Sequence, residues 1–155
     1  MLLRLLERRR LRRLFSAAIA HAVPDGSPPQ PHHREVDFLI VHLREEPTEG
    51  LPQRVAEVAN SAVSHGATVE SILSSIVVLS YGAVQGDTPS HTRGSLARAI
   101  LARLPRDASI VHGRRTCLVG SFGSSGRMTF GSQIPGFGQL VKAAVDLDFG
   151  KSLEA

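Results

Sequence analysis

The sequence predicts an α+β domain of the ferredoxin-like kind, a βαββαβ sandwich with an extra hairpin. Three observations carry that expectation. The stretch VDFLIVHL (36–43) is almost wholly apolar, the pattern of a central strand covered on both faces. Two later stretches, 51–65 and 91–104, carry apolar residues at helical spacing. Around them lie short β-rich runs punctuated by Ser, Gly and Pro.

Taken in order, the strand over 36–43 ends where Arg44 to Gly50 turns the chain. In the helix over 51–65 the apolar stripe is Leu51, Val55, Val58, Ala59, Ala62 and Val63. Pro52 is tolerated in its first turn, where the missing N–H has no helical partner anyway. His65-Gly66 is a stop signal, because glycine adopts the left-handed cap without strain. Two short strands, 68–73 and 76–81, flank the pair Ser74-Ser75, and a loop runs from Gly82 to Pro89. Leu96, Ala99, Ile100 and Leu104 mark the second helix. Strands are expected at 109–112, 116–122 and 128–130, with the loop GSSGR (123–127) before the last, and a final helix over 137–147. This order places the helices on one face of the sheet and leaves the other for a partner, more sheet or water.

The chain divides into a basic helical arm (1–22), a proline-rich linker (23–35) and one domain (36–155). With 155 residues, a single domain is expected. The formal charge is +4. Residues 1–15 hold six arginines against Glu7, which leaves the rest of the chain at −1. A whole-domain nucleic-acid surface is therefore not expected. The arm itself is a candidate for contact with a membrane surface or a polyanion, or for a targeting role, although its leucines and arginines do not segregate onto two helical faces. Its plainest reading is a solvated or partner-bound helix. His32 and His33 read as linker residues, since adjacent positions do not share a face. A lone cysteine, Cys117, excludes an internal disulfide and a cysteine-based zinc site. No apolar run is long enough to span a bilayer as a helix, and a cytoplasmic location is expected.

Four segments, in this order, resemble the class III adenylate/guanylate cyclase homology domain. VDFLIVHLR (36–44) is similar to its first strand, which normally ends in a metal-binding aspartate. HGATVESILSSIVVLSYG (65–82) resembles its segment HGG-x-x-x-K-x-x-GD-x-x-x-x-x-FG. GRRTCLVGSFGSSGRMTF (113–130) looks like its strand and hairpin, and KAAVDL (142–147) stands where the family has N-x-A-A-R-L. The resemblance implies a two-metal site assembled between two chains in a head-to-tail dimer, and a likeness ending before the family's C-terminal strands.

The departures fall on the chemistry. Divalent hard cations take carboxylate oxygens, yet the two aspartate positions hold His42 and Ser75, with Ser74 for the glycine of the GD turn. The base-reading lysine position is Ser71. The asparagine and arginine positions of the last helix fall on Val141 and Val145, with Lys142 or Arg127 as substitutes for the lost cation. No catalytic residue and no metal are therefore expected; Mg²⁺ or Mn²⁺ enters only if residual activity persists. Gly120, Gly123, Gly126 and Arg127 are candidate phosphate-binding residues, as a glycine-rich loop presents backbone N–H groups to anions. This is not a Walker motif, and its plainer reading is a hairpin.

Among the nearby acids Asp37, Glu45, Glu46, Asp87, Asp146 and Asp148, a rebuilt metal site could draw only on His42 with Glu45 or Glu46. A Ser-His nucleophile lacks both the elbow and an orienting acid. The expectation is a catalytically inactive cyclase-like domain serving as a dimerisation or regulatory module, in a homodimer or heterodimer. Apolar Phe122, Met128, Phe130 and Phe137 are candidates for the interface. The alternatives are a nucleotide sensor without turnover and a residual adenylate or guanylate cyclase with altered metal ligands.

Overall fold

A computed structural model describes residues 32–81, 90–124 and 127–155. The expectations for the arm 1–22, for linker residues 23–31, for the loop 82–89 and for Gly126 lie outside these residues. The elements run β1 (His32–Leu43), a 3-10 turn (Thr48–Gly50), α1 (Leu51–Ser64), β2 (Thr68–Leu73), β3 (Ile76–Tyr81), α2 (Ser90–Arg103), β4 (Ala108–Ser124), β5 (Arg127–Gln133), α3 (Phe137–Asp146) and β6 (Ser152–Glu154).

The strand order is β2-β3-β1-β4-β5, and β6 pairs with β4. Each neighbouring pair among the first four strands is antiparallel, which is the expected βαββαβ sheet. Alternation along β1 feeds two cores, because successive side chains leave opposite faces of a strand. Leu39, Val41 and Leu43 join Val55, Val58, Leu79, Leu96 and Ile100 under α1 and α2. Val36, Phe38 and Ile40 join Val78, Val111, Cys117, Leu140 and Ala144 on the opposite face. The expectation that helices cover one face is corrected here. α3 packs Leu140 and Ala144 onto the second face, with Phe137 partly buried against it. Phe137, expected at an interface, is thus partly used in packing at the edge of the second core. Burial pushes the Cys117 thiol up to about 11, helped by Glu70 and Glu35, so it is a packed, unreactive group.

Other boundaries differ for physical reasons. β1 begins at His32, so His32 to Glu35 are strand and not linker, with His32 opposite Val119 and His33 opposite Leu118. The two strands expected at 109–112 and 116–122 are one continuous β4. Gly113 lies inside this strand: a Cβ there would stand 2.3 Å from the Ala155 carbonyl oxygen and 3.1 Å from the Phe38 ring. Only glycine admits that approach. The last helix is followed by a short sixth strand, parallel to β4.

Candidate functional site

The register of β1 decides which residues gather at its end, here called the His42 pocket. His42 stands opposite Ile76 on β3 and Ser109 on β4, and the Leu43 amide donates to the Ser75 carbonyl at 2.8 Å. The two positions that resemble the family's metal carboxylates therefore lie together at one end of the sheet. The β2–β3 turn is a two-residue hairpin, with Leu73 opposite Ile76. Ser74 has φ +57°, as the first central residue of a II′-type hairpin requires.

Ser75 is buried, and its hydroxyl donates to Glu45 Oε1 at 2.9 Å. His42 stacks on Phe149, ring centroids 5.3 Å apart and 26° between planes. The Arg44 guanidinium lies 4.4 Å from the same ring. Phe149 thus contacts both an imidazole and a cation, as aromatic faces favour. The His42 Nδ1 atom is buried without a hydrogen-bond partner. Burial pushes the His42 imidazole below its ordinary pKa, against a weaker upward pull from Glu45.

The loop after β1 is pinned from below. Arg54 on α1, itself buried, donates to the backbone carbonyls of Arg44 at 2.8 Å, Glu46 at 3.2 Å and Pro47 at 3.3 Å. Arg44 in turn reaches Asp107 Oδ1 at 3.1 Å and the Arg106 carbonyl at 2.9 Å. Glu45 and Glu46 thereby sit at the rim of the pocket as exposed acids.

Two divalent cations do not fit this donor set. Among the described residues no three His, Cys, Asp or Glu side chains gather closely enough to hold a metal. The carboxylate beside His42 already accepts from Ser75. The acidic rim also opposes a polyphosphate, because like charges at close range disfavour the ionised forms.

The remaining expected residues are scattered. Ser71 is half-buried beside a bulge in β2. Val141 packs at the edge of the second core, and Val145 is 48% exposed. Lys142, one turn from Asp146, donates to it at 2.6 Å on an exposed face, and that hydrogen bond raises its pKa. Gly120 and Gly123 stand within β4 opposite Gly131 and Met128, and Arg127 opens β5 opposite Ser124. The expected loop at 123–127 is thus mostly strand. Gly120 lies 11 residues along β4 from Ser109, roughly 35 Å at strand rise. The glycines and the His42 pocket are thus at opposite ends of β4.

A second polar cluster was not recognised in the sequence. Asp37, buried on β1, accepts from Arg93 at 2.6 Å and from Arg114 at 2.9 and 3.0 Å. Arg93 also donates to Glu154 at 2.7 Å and to His112 Nδ1 at 3.0 Å. Burial lowers the His112 pKa, Arg93 lowers it further, and Glu154 and Asp37 oppose the shift. The available signal was a lone acid in an otherwise apolar strand, which calls for a cation elsewhere in the chain.

With β2-β3-β1-β4 antiparallel and the polar pocket at the end of β1, the chain has the fold of the class III adenylyl/guanylyl cyclase domains. Three solved structures show the likeness. It matches the adenylyl cyclase CyaB from P. aeruginosa with a TM-score of 0.69 at 15% identity, covering 82% of this chain and 79% of that one. It matches the guanylyl cyclase Cya2 with a TM-score of 0.61 at 17% identity, covering 82% and 77%. The guanylate cyclase domain of RhGC from Catenaria anguillulae, in complex with GTP, gives a TM-score of 0.65 at 10% identity, covering 82% and 80%. No protein-family model and no curated protein sequence matches the chain. No helix among the described residues is long and apolar enough to cross a membrane.

Proposed function

We propose that this chain is a cyclase-fold domain without nucleotide turnover that acts as a dimerisation or regulatory module, paired with a second copy or a related chain. One observation carries the reading: the pocket that would need two metal-bearing carboxylates is occupied by the Ser75–Glu45 hydrogen bond and the His42–Phe149 stack. Neither position supplies the carboxylate that a hard divalent cation takes. The second half of the proposal is supported by the hairpin. Among the described residues, β4 beyond Val119 pairs only with β5. A two-stranded ribbon alone is marginal in water, and this one carries Phe122, Met128 and Phe130. Cover from a second chain would stabilise it. No metal or other cofactor belongs to this reading, and a cytoplasmic site of action accompanies it.

The test uses the full chain with ATP and with GTP, each with Mg²⁺ and with Mn²⁺. No cyclic product and no rise in melting temperature are expected. A ligand at a hundredfold excess over its Kd would add about 2.7 kcal/mol of stability, so binding would not be missed. Cyclic product overturns the reading. A nucleotide-dependent rise without product replaces it with the sensor alternative. Sedimentation over a concentration series is expected to show a monomer–dimer equilibrium, and a strictly monomeric chain removes the dimerisation role.

A further inference from the structure

We propose that residues 147–155 form a latch over the His42 side chain, closed by Phe149 at one end and by the Arg93–Glu154 ion pair at the other. The segment leaves α3 and lies along β4. The Gly150 amide donates to Ala108 O at 2.7 Å, the Lys151 carbonyl accepts from the Ile110 amide at 3.1 Å, and the Ala155 amide donates to His112 O at 2.8 Å. Gly150 has φ +88°, and a Cβ there would stand 2.5 Å from the Pro105 carbonyl oxygen, so the bend that aims Phe149 at His42 requires glycine.

What holds the segment is unlike what holds the other strands. Ser152, Leu153 and Glu154 are all exposed, so β6 contributes backbone hydrogen bonds and little apolar burial. Segments of that composition open locally, well below the free energy of global unfolding. Two side chains reach back to the body of the domain. Phe149 contacts both His42 and Arg44. Glu154, its side chain 71% exposed, meets Arg93, whose own side chain is 6% exposed. Arg93 is fixed independently by Asp37 and His112, so it is an anchor that stays in place when Glu154 leaves.

Closure also has a cost. It keeps the His42 Nδ1 atom away from water with nothing to bond, and an unsatisfied buried polar atom opposes the closed form. Opening gives that nitrogen water and gives up the stack and the ion pair. The opposing contributions make the two ends act together: loosening either end exposes His42.

The latch concerns the pocket whose inactivity is proposed above, and the two ideas fail separately. The experiment compares the full chain with Glu154→Ala and Phe149→Ala. It follows hydrogen exchange of the 147–155 peptide and the reaction of His42 with diethyl pyrocarbonate, mapped by mass spectrometry. The 147–155 peptide is expected to exchange much faster than the 36–43 peptide. Glu154→Ala, remote from His42 in sequence and solvated, is expected to raise His42 reactivity about fivefold, the factor that losing one partly exposed ion pair gives. Phe149→Ala is expected to raise it further. Unchanged His42 reactivity in Glu154→Ala overturns the latch, as does exchange of 147–155 as slow as that of β1. A melting temperature measured alongside separates latch opening from general loosening: a fall that tracks the reactivity overturns the latch. Cyclic nucleotide formed by either variant overturns the inactivity and leaves the latch standing.

Discussion

Asp37 and His42 stand five residues apart on one strand and face opposite ways. Asp37 keeps a buried carboxylate and surrounds it with Arg93 and Arg114. His42 leaves a buried nitrogen with no partner and relies on an aromatic ring for cover. The difference separates two uses of polarity. Around Asp37 every charge is matched, so the cluster welds β1, α2 and β4 into one unit, and β6 is tied to it only through Glu154. Around His42 the polar groups are only partly matched, so the pocket is closed without being locked.

The largest expected break in this comparison is Asp37→Ala. It leaves Arg93 buried without its principal counter-charge, and removing one member of a buried pair costs about 3–5 kcal/mol. Urea unfolding should show that loss, while Ser75→Ala at the other end costs much less. A loss at Asp37 no greater than at Ser75 would erase the distinction.

Acid gives a smaller effect. His42 and His112 are both held below the ordinary histidine pKa, by burial first. The folded state therefore binds fewer protons than the unfolded chain just below pH 6.5, and stability falls as pH drops through that range. Urea midpoints at pH 7.5 and 5.5 measure the fall. Replacing both histidines by glutamine should flatten it, and an equally steep fall in that variant would assign the effect to other groups.

The smallest effect sharpens the picture of the β2–β3 turn. Ser74 sits at φ +57°, which costs an L-residue roughly 1 kcal/mol. Ser74→Gly should raise the thermal midpoint slightly, by up to about 1 kcal/mol of stability once the greater freedom of unfolded glycine is subtracted. A lower midpoint would mean that the Ser74 side chain makes a contact worth more than the strain.

Much of the fold was legible because local pattern and tertiary role agree. β1 reads as a buried strand and is one; Val55, Val58 and Ala62 read as a helical stripe and face the core. Legibility failed where a residue type has two meanings. Gly113 falls in the gap left between two expected strands, yet it serves a close approach between β4 and Ala155 that no local pattern records. The cover that α3 gives the second face depends on which side of the sheet the chain crosses, and that is not written in helical spacing.

At the site, the meeting of positions 42 and 75 followed from the resemblance. The contribution of Phe149 did not, since it depends on the left-handed bend at Gly150. Arg93 lies 56 residues from Asp37, so the acid announced a need for a cation without naming it.

Arg54 has a consequence for how such a pocket can change over time. It grips the loop after β1 through the carbonyl oxygens of Arg44, Glu46 and Pro47, and every amino acid supplies a carbonyl oxygen. A guanidinium fork is suited to several acceptors at once. The loop's path is therefore insensitive to which side chains it displays. Chemistry can be erased or rewritten at 45 and 46 one residue at a time, with the scaffold as a bystander.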